Sequence, residues 1–158
     1  MIKEINYLDS VEMNIARELL IKSIPHCKDD INLSFSLLKN VELMTEHKEN
    51  YDLVDSRLFG FFSENKLIGI SGLYSLEEDS FEAYWINWFA IDDRYTRLGI
   101  GTQMFKFLEK RVEEEKKDFL RVYTTIPELK GFWEKQASFY NEELEDGITY
   151  YYFQKKLI

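Results

Sequence analysis

The run Arg94-Tyr95-Thr96-Arg97-Leu98-Gly99-Ile100-Gly101-Thr102 has residue types and a spacing suited to holding an anion. An apolar, aromatic-rich run, Tyr84 to Ile91, precedes it, and a strongly helix-forming run, Gln103 to Lys117, follows. The first N–H groups of a helix have no internal acceptor, and they point at whatever sits there. The helix dipole adds a favourable term of about 0.3–1 kcal/mol for negative charge at that end. A strand, a basic Gly-x-Gly turn and a helix therefore make a natural oxyanion or phosphate site. Glycines at such a place also serve simply to shape a tight turn, so the flanking strand and helix carry the reading.

Other reactive residues are sparse. Cys27 is the sole cysteine, which excludes an intramolecular disulfide and fits a reducing compartment. His26 and His47 with one cysteine make no convincing transition-metal site, so no metal is expected. The net charge of −9 and pI near 4.8 argue against nucleic-acid binding, which needs a basic footprint. An acidic field attracts amines, although the same charge also serves solubility. The start of the chain, Met1-Ile2-Lys3-Glu4-Ile5, lacks an apolar signal core. With no apolar run long enough to span a bilayer, the expectation is a cytoplasmic protein without membrane contact, and one domain over residues 1–158.

The elements that must position the glycine turn follow from periodicity. Ile2 to Leu8 reads as a first strand, with Ile2, Ile5 and Tyr7 apolar. Asp9 or Ser10 can cap a helix through Met13, Ala16 and Leu20, with Pro25 at or near its end. Leu33 to His47 reads as a second helix, and residues 48–56 as a loop. Arg57–Phe62 and Leu67–Tyr74 form a hairpin around Ser63–Lys66, and Glu82 to Ile91 is a long strand. Phe119 to Thr125 returns after the helix as the second strand of a βαβ crossover. Pro127 opens a short helix through Trp133 and Ala137, and Ile148 to Leu157 is the last strand after a polar turn at Gly147. The fold class is α+β, with helices flanking a mixed, mostly antiparallel sheet.

This order resembles the GNAT family of acyl-coenzyme A-dependent N-acyltransferases over nearly the whole chain. The resemblance is sharpest over Ile91 to Gly101 and over Gly131-Phe132-Trp133-Glu134-Lys135. The family signature is Gln or Arg, two variable residues, Gly, one residue, then Gly or Ala. Its end matches Gly99-Ile100-Gly101, while its first position falls on Thr96, a departure that Arg97 can offset with charge one residue later. Rossmann-type and P-loop readings fit poorly. No glycine-rich turn follows the first strand, and Gly-Lys-Ser or Gly-Lys-Thr occurs nowhere.

The resemblance implies acetyl-CoA as acyl donor and an amine, possibly cationic, as acceptor, in a monomer or homodimer. It places the coenzyme A pyrophosphate over the backbone of Arg97, Leu98, Gly99, Ile100, Gly101 and Thr102. It places the pantetheine arm along the backbone of Phe89, Ala90 and Ile91, bordered by Thr124 and Thr125. The chemistry is less well supplied. Many members carry a Tyr proton donor in the late helix, and that position is Trp133 here. Some carry a Glu base on the long strand, and that position falls on Trp85. Asn87, two residues on and on the same side by strand parity, can orient water or substrate. Tyr123 and Tyr140 are the candidate replacements for the acid, and Glu82 is the nearest upstream carboxylate. Trp85 and Asn87 are expected on one face of the strand, Tyr84 and Trp88 on the other. Three functions remain: an N-acetyltransferase, an acyl-CoA-binding or sensory module with weak or no turnover, and a partner-binding protein on the same scaffold.

Overall fold

Helix α1 (Ser10–Ser23) begins where Asp9 caps it: Asp9 Oδ1 accepts the Glu12 N–H at 2.8 Å. Ala16 and Leu20, on one helical face, are fully buried. Pro25 follows the last turn and cannot continue it. The computed structural model describes residues 1–4, 9–37 and 41–158, and of Val41 and Leu43 the backbone only. The helical region expected over Leu33–His47 is helical on both sides of residues 38–40, which lie outside the described residues: α2 (Lys28–Leu37) precedes them and α3 (Val41–Asn50) follows. Asp29 and Asp30 occupy the first turn of α2, where the dipole favours negative charge, which is why it starts early. α3 runs on through the start of the segment expected to be a loop.

Among the described residues the sheet has seven strands in the order β1-β2-β3-β4-β5-β7-β6. β1 (Ile2–Glu4) lies antiparallel to β2 (Leu53–Ser63). The rest of the expected first strand, with Ile5 and Tyr7, lies outside the described residues. β2 turns into β3 (Lys66–Leu76) through Glu64 and Asn65, whose φ values of 48° and 64° make the mirror-image turn that matches strand twist. β4 (Ala83–Ile91) pairs with β3 antiparallel, and then with β5 (Phe119–Thr124) in parallel through the crossover helix α4 (Ile100–Glu114). α5 (Lys130–Gln136) precedes β6 (Ser138–Glu145) and β7 (Ile148–Lys156), and β7 inserts between β5 and β6.

β6 was not expected from the sequence, which reads as a polar turn there. Its eight residues are all exposed, so no alternation of apolar and polar marks it. The usable signal was Asp146-Gly147, at φ 51° and 78°, the dipeptide that closes a two-residue hairpin.

One sheet face packs Tyr84, Ile86, Leu120 and Val122 against Phe105, Leu108 and Trp133 of α4 and α5. The other packs Leu58, Ile70 and Ala90 against Ala16, Leu20 and Ile31 of α1 and α2. Each central strand is buried on both faces, so it reads as a continuous apolar run.

Candidate functional site

The site begins with a fault in β4. Ile70 pairs with Ala90, but Gly72 pairs with Asn87, so β4 holds one residue more than β3 across this stretch. Trp88, at φ 50°, occupies the bulge, an unfavourable conformation for a bulky residue. The bulge reverses strand parity. Before it, Tyr84 and Ile86 face α4; after it, Phe89 and Ile91 do, while Trp88 and Ala90 join the α1–α2 side. Trp88 therefore lies on the same side as Asn87, which corrects the expectation that strict period-2 alternation would put it opposite. Pairing of β4 with β5 ends at Trp85–Arg121, and from Ile86 to Ile91 the β5-facing edge of β4 has no strand paired to it among the described residues. The two strands splay, and main-chain groups on β4 and β5 are left facing a gap.

The glycine turn lies at the end of β4. Arg97 at φ 60° and Gly99 at φ 78° curl the chain before α4 starts at Ile100. The first N–H of α4 taken by a carbonyl is that of Gln103, bonded to Gly99 O at 3.1 Å. Among the described residues, the N–H groups of Arg97 through Thr102 donate to no backbone acceptor. Successive unpartnered N–H groups in a left-handed turn form an anion-binding concavity, and α4 adds its dipole. The two glycines have different jobs. Gly99 is open, with nothing within 4 Å of the point a Cβ would occupy, and supplies the left-handed turn. Gly101 is buried: a Cβ there would meet the Phe132 ring at 3.1 Å and Ile91 Cδ1 at 3.2 Å. Gly101 thus seats α4 against α5 and β4. Arg97 is exposed and, among the described residues, makes no ion pair, whereas Arg94 is engaged by Asp92 at 2.6 Å. That contact holds the Asp92 carboxyl well below the usual carboxylate range. Thr102 Oγ1 accepts from Gln136 Nε2 at 3.1 Å, tying α4 to α5.

A cleft of about 600 Å³ runs from the splay to α2 and α3. Phe89, Thr124 and Trp133 line it, as do Asp30, His47 and Tyr74. Asn87 lies on its wall, with its side-chain oxygen buried and without a donor. Tyr123 also lines the cleft, and burial raises its phenol above the usual value. Tyr140 lies on β6 outside the lining, 6.1 Å ring to ring from Tyr152, and burial raises its phenol as well. Glu82 is outside the cleft: Arg121 holds its carboxylate at 2.9 Å and also holds Asp79 at 2.9 Å. A carboxylate committed to a guanidinium is a poor base, so the structure gives Glu82 a structural contact in place of the expected catalytic one. Trp85, where a base was sought, donates its indole N–H to Asp79 at 2.7 Å. Thr124 Oγ1 accepts the Ile126 N–H at 3.1 Å and shapes the end of β5. The sequence reading gave His47 and Tyr74 no place in the site. Met44 and His47, three apart on α3, were the available signal.

A family model described as the acetyltransferase (GNAT) family matches residues 14–139. The chain belongs to that family. Acyl-CoA binding and acetyl transfer are the general chemistry of GNAT proteins. No curated protein matches the sequence. Among solved structures, the GNAT chain is similar to an aminoglycoside 6′-N-acetyltransferase complexed with coenzyme A. That match has a TM-score of 0.78 and 13% identity, and covers 100% of this chain and 97% of the other. The PaiA N-acetyltransferase from Thermoplasma acidophilum, in complex with coenzyme A, gives 0.63 at 19% identity over 99% of both chains. A GNAT acetyltransferase from Elizabethkingia anophelis with acetyl-CoA bound gives 0.56 at 18%, covering 71% and 82%. At these identities the structural likeness establishes the GNAT fold alone.

Proposed function

We propose that the protein transfers an acetyl group from acetyl-CoA to an amine. The observation that carries this is the alignment of two unsatisfied backbone surfaces: the free N–H groups of Arg97–Thr102 and the open edge of β4 beside the splay. The first suits a pyrophosphate. The second suits an extended amide-bearing arm, bound as an added strand through main-chain hydrogen bonds. Phe89, Ala90 and Ile91 would hold that arm by backbone contacts, with Thr124 and Thr125 at its border. A backbone N–H at Ala90 or Ile91 would stabilise the oxyanion as the amine attacks the thioester carbonyl. The amine must be neutral to attack, and its proton leaves afterwards.

Calorimetric titration with acetyl-CoA tests the donor site. Arg97 is exposed and makes no ion pair among the described residues, so Arg97→Glu should leave the melting temperature in place and weaken acetyl-CoA binding about tenfold, the exposed end of a charge-assisted contact. Unchanged affinity in that variant would remove Arg97 from the phosphate site.

The tyrosine phenols give a pH prediction. Burial raises Tyr74, Tyr123 and Tyr140 above the usual phenol value, so each stays protonated through the working range and none offers a base. With Glu82 paired to Arg121, deprotonation of the acceptor falls to solvent. kcat/KM should then climb about tenfold per pH unit from pH 7 toward the amine's own pKa. A profile that levels off well below the amine's own pKa would instead show that a group of the protein takes the proton.

A second reading, an acyl-CoA-binding module without turnover, is favoured by the ion-paired Glu82 and by Trp133, whose indole cannot act as an acid. Acetyl-CoA binding with no thiol release over a broad amine panel would establish it. A thiol near pKa 8.5 leaves well without an acid, which favours the enzyme.

A further inference from the structure

We infer that the acceptor is a primary amine carrying a single positive charge on a flat apolar body, and that a wall of tyrosine and tryptophan rings selects it. This rests on the acetyl-transfer reading above and specifies the acceptor for the same cleft. The wall starts inside the cleft, at Tyr74 and Tyr123. Tyr74 stacks on Trp85 at 6.3 Å, Trp85 meets Tyr152 edge-on at 6.1 Å, and Tyr152 contacts Tyr123 at 5.9 Å. Tyr140 and Tyr150 extend the same cluster outward. Its rings are fixed: Asp79 holds the Trp85 N–H, Arg121 holds Asp79, and Glu143 accepts the Tyr152 hydroxyl at 3.2 Å. Tyr123, on the cleft lining, nonetheless keeps 43% of its surface exposed and so is open to whatever enters.

Charge decides against a polycation. Among the described residues that line the cleft, Asp30 is the one carboxylate. A second or third ammonium brought into this cleft would lose water and gain no anion. The remaining polar groups suit one amine: the unpartnered amide of Asn87, at the bulge where the splay opens, and Asp30 on α2. An ammonium-bearing chain with an aromatic body would use both halves, its nitrogen toward the amide and its ring on the wall.

Phenethylamine and spermidine are the two probes, compared by thiol release from protein saturated with acetyl-CoA. The expected result is a kcat/KM at least tenfold higher for phenethylamine. Tyr123→Ser should cut that ratio at least tenfold, with acetyl-CoA affinity unchanged; a change in turnover common to both amines cancels in the ratio. Equal or better use of spermidine, or a ratio unmoved in Tyr123→Ser, would overturn the inference while leaving acetyl transfer standing. If neither amine releases thiol, calorimetry on the CoA-saturated protein decides. Tighter binding of phenethylamine supports the inference; preference for spermidine, or no binding of either, overturns it. Failure to bind acetyl-CoA at all would remove the acyl-transfer reading and this one with it.

Discussion

Replacing Trp133 with alanine should cost about 3–5 kcal/mol of folding stability, the range for deleting a large aromatic from a packed interior. Trp133 is 4% exposed and is held by Phe89 at 5.0 Å, Phe132 at 4.8 Å and Phe105 at 6.3 Å between ring centroids. These rings come from β4, α5 and α4, the three elements that meet at the anion-binding turn. The cavity left behind would border the cleft and could not collapse without moving one of them. Chemical denaturation should show a lower midpoint with an unchanged slope. A loss below about 1 kcal/mol would mean that the indole is held less firmly than its contacts indicate. Trp133→Phe, which keeps an aromatic ring, should fall well short of the alanine loss.

Gly72→Ala should disable the site from the strand beside Asn87. A Cβ at Gly72 would overlap the side-chain oxygen of Asn87, and would lie 2.7 Å from Leu58 Cδ2 and 2.9 Å from the Arg57 carbonyl oxygen. Leu58 can turn away, but a backbone carbonyl in a paired strand cannot, so β2 or β3 must shift. Overpacking of this kind costs about 1–3 kcal/mol. The amide of Asn87 would also be driven from its place at the bulge. Because kcat/KM depends on placement within fractions of an ångström, acetyl transfer should fall about a hundredfold. The double variant Gly72→Ala with Asn87→Ala separates the two effects. It removes the side chain that clashes, so stability should recover in part, giving a coupling energy of about 0.5–3 kcal/mol between the sites. Activity should not recover, because the amide is gone. Strictly additive stability losses would show that Gly72 is required only by its own strand neighbours.

Much of the fold was legible because its signals are local. Asp9 before an apolar helical stripe, the Gly99-Ile100-Gly101 turn and the β-rich run at Phe119 each mark an element from neighbouring residues alone. The early start of α2 at Lys28 was not read, since the apolar helical spacing becomes regular only from Leu33. β6 was missed for a similar reason. An exposed edge strand needs no apolar face, and only its Asp146-Gly147 turn betrays it.

The site divides the same way. Counting back along β4 led to Asn87, which lies on the cleft wall, because the strand alternates regularly up to that point. One residue later the bulge broke the count and turned Trp88 to the unexpected side. Glu82 looked like an available carboxylate because Arg121, its partner, lies 39 positions away.

By itself the sequence determined a strand, a glycine turn and a helix whose first N–H groups are free, since helical hydrogen bonding runs from each residue to its fourth neighbour and leaves the helix start unsatisfied whatever surrounds it. Only the tertiary structure decided what those groups accompany. Strand register placed the extra residue at Trp88 and opened β4 from β5. Packing assigned Gly101 to Phe132 and Ile91. Long-range ion pairing withdrew Glu82. Each depends on which distant segments meet, and that is fixed by burial of two sheet faces at once rather than by any local run of residues.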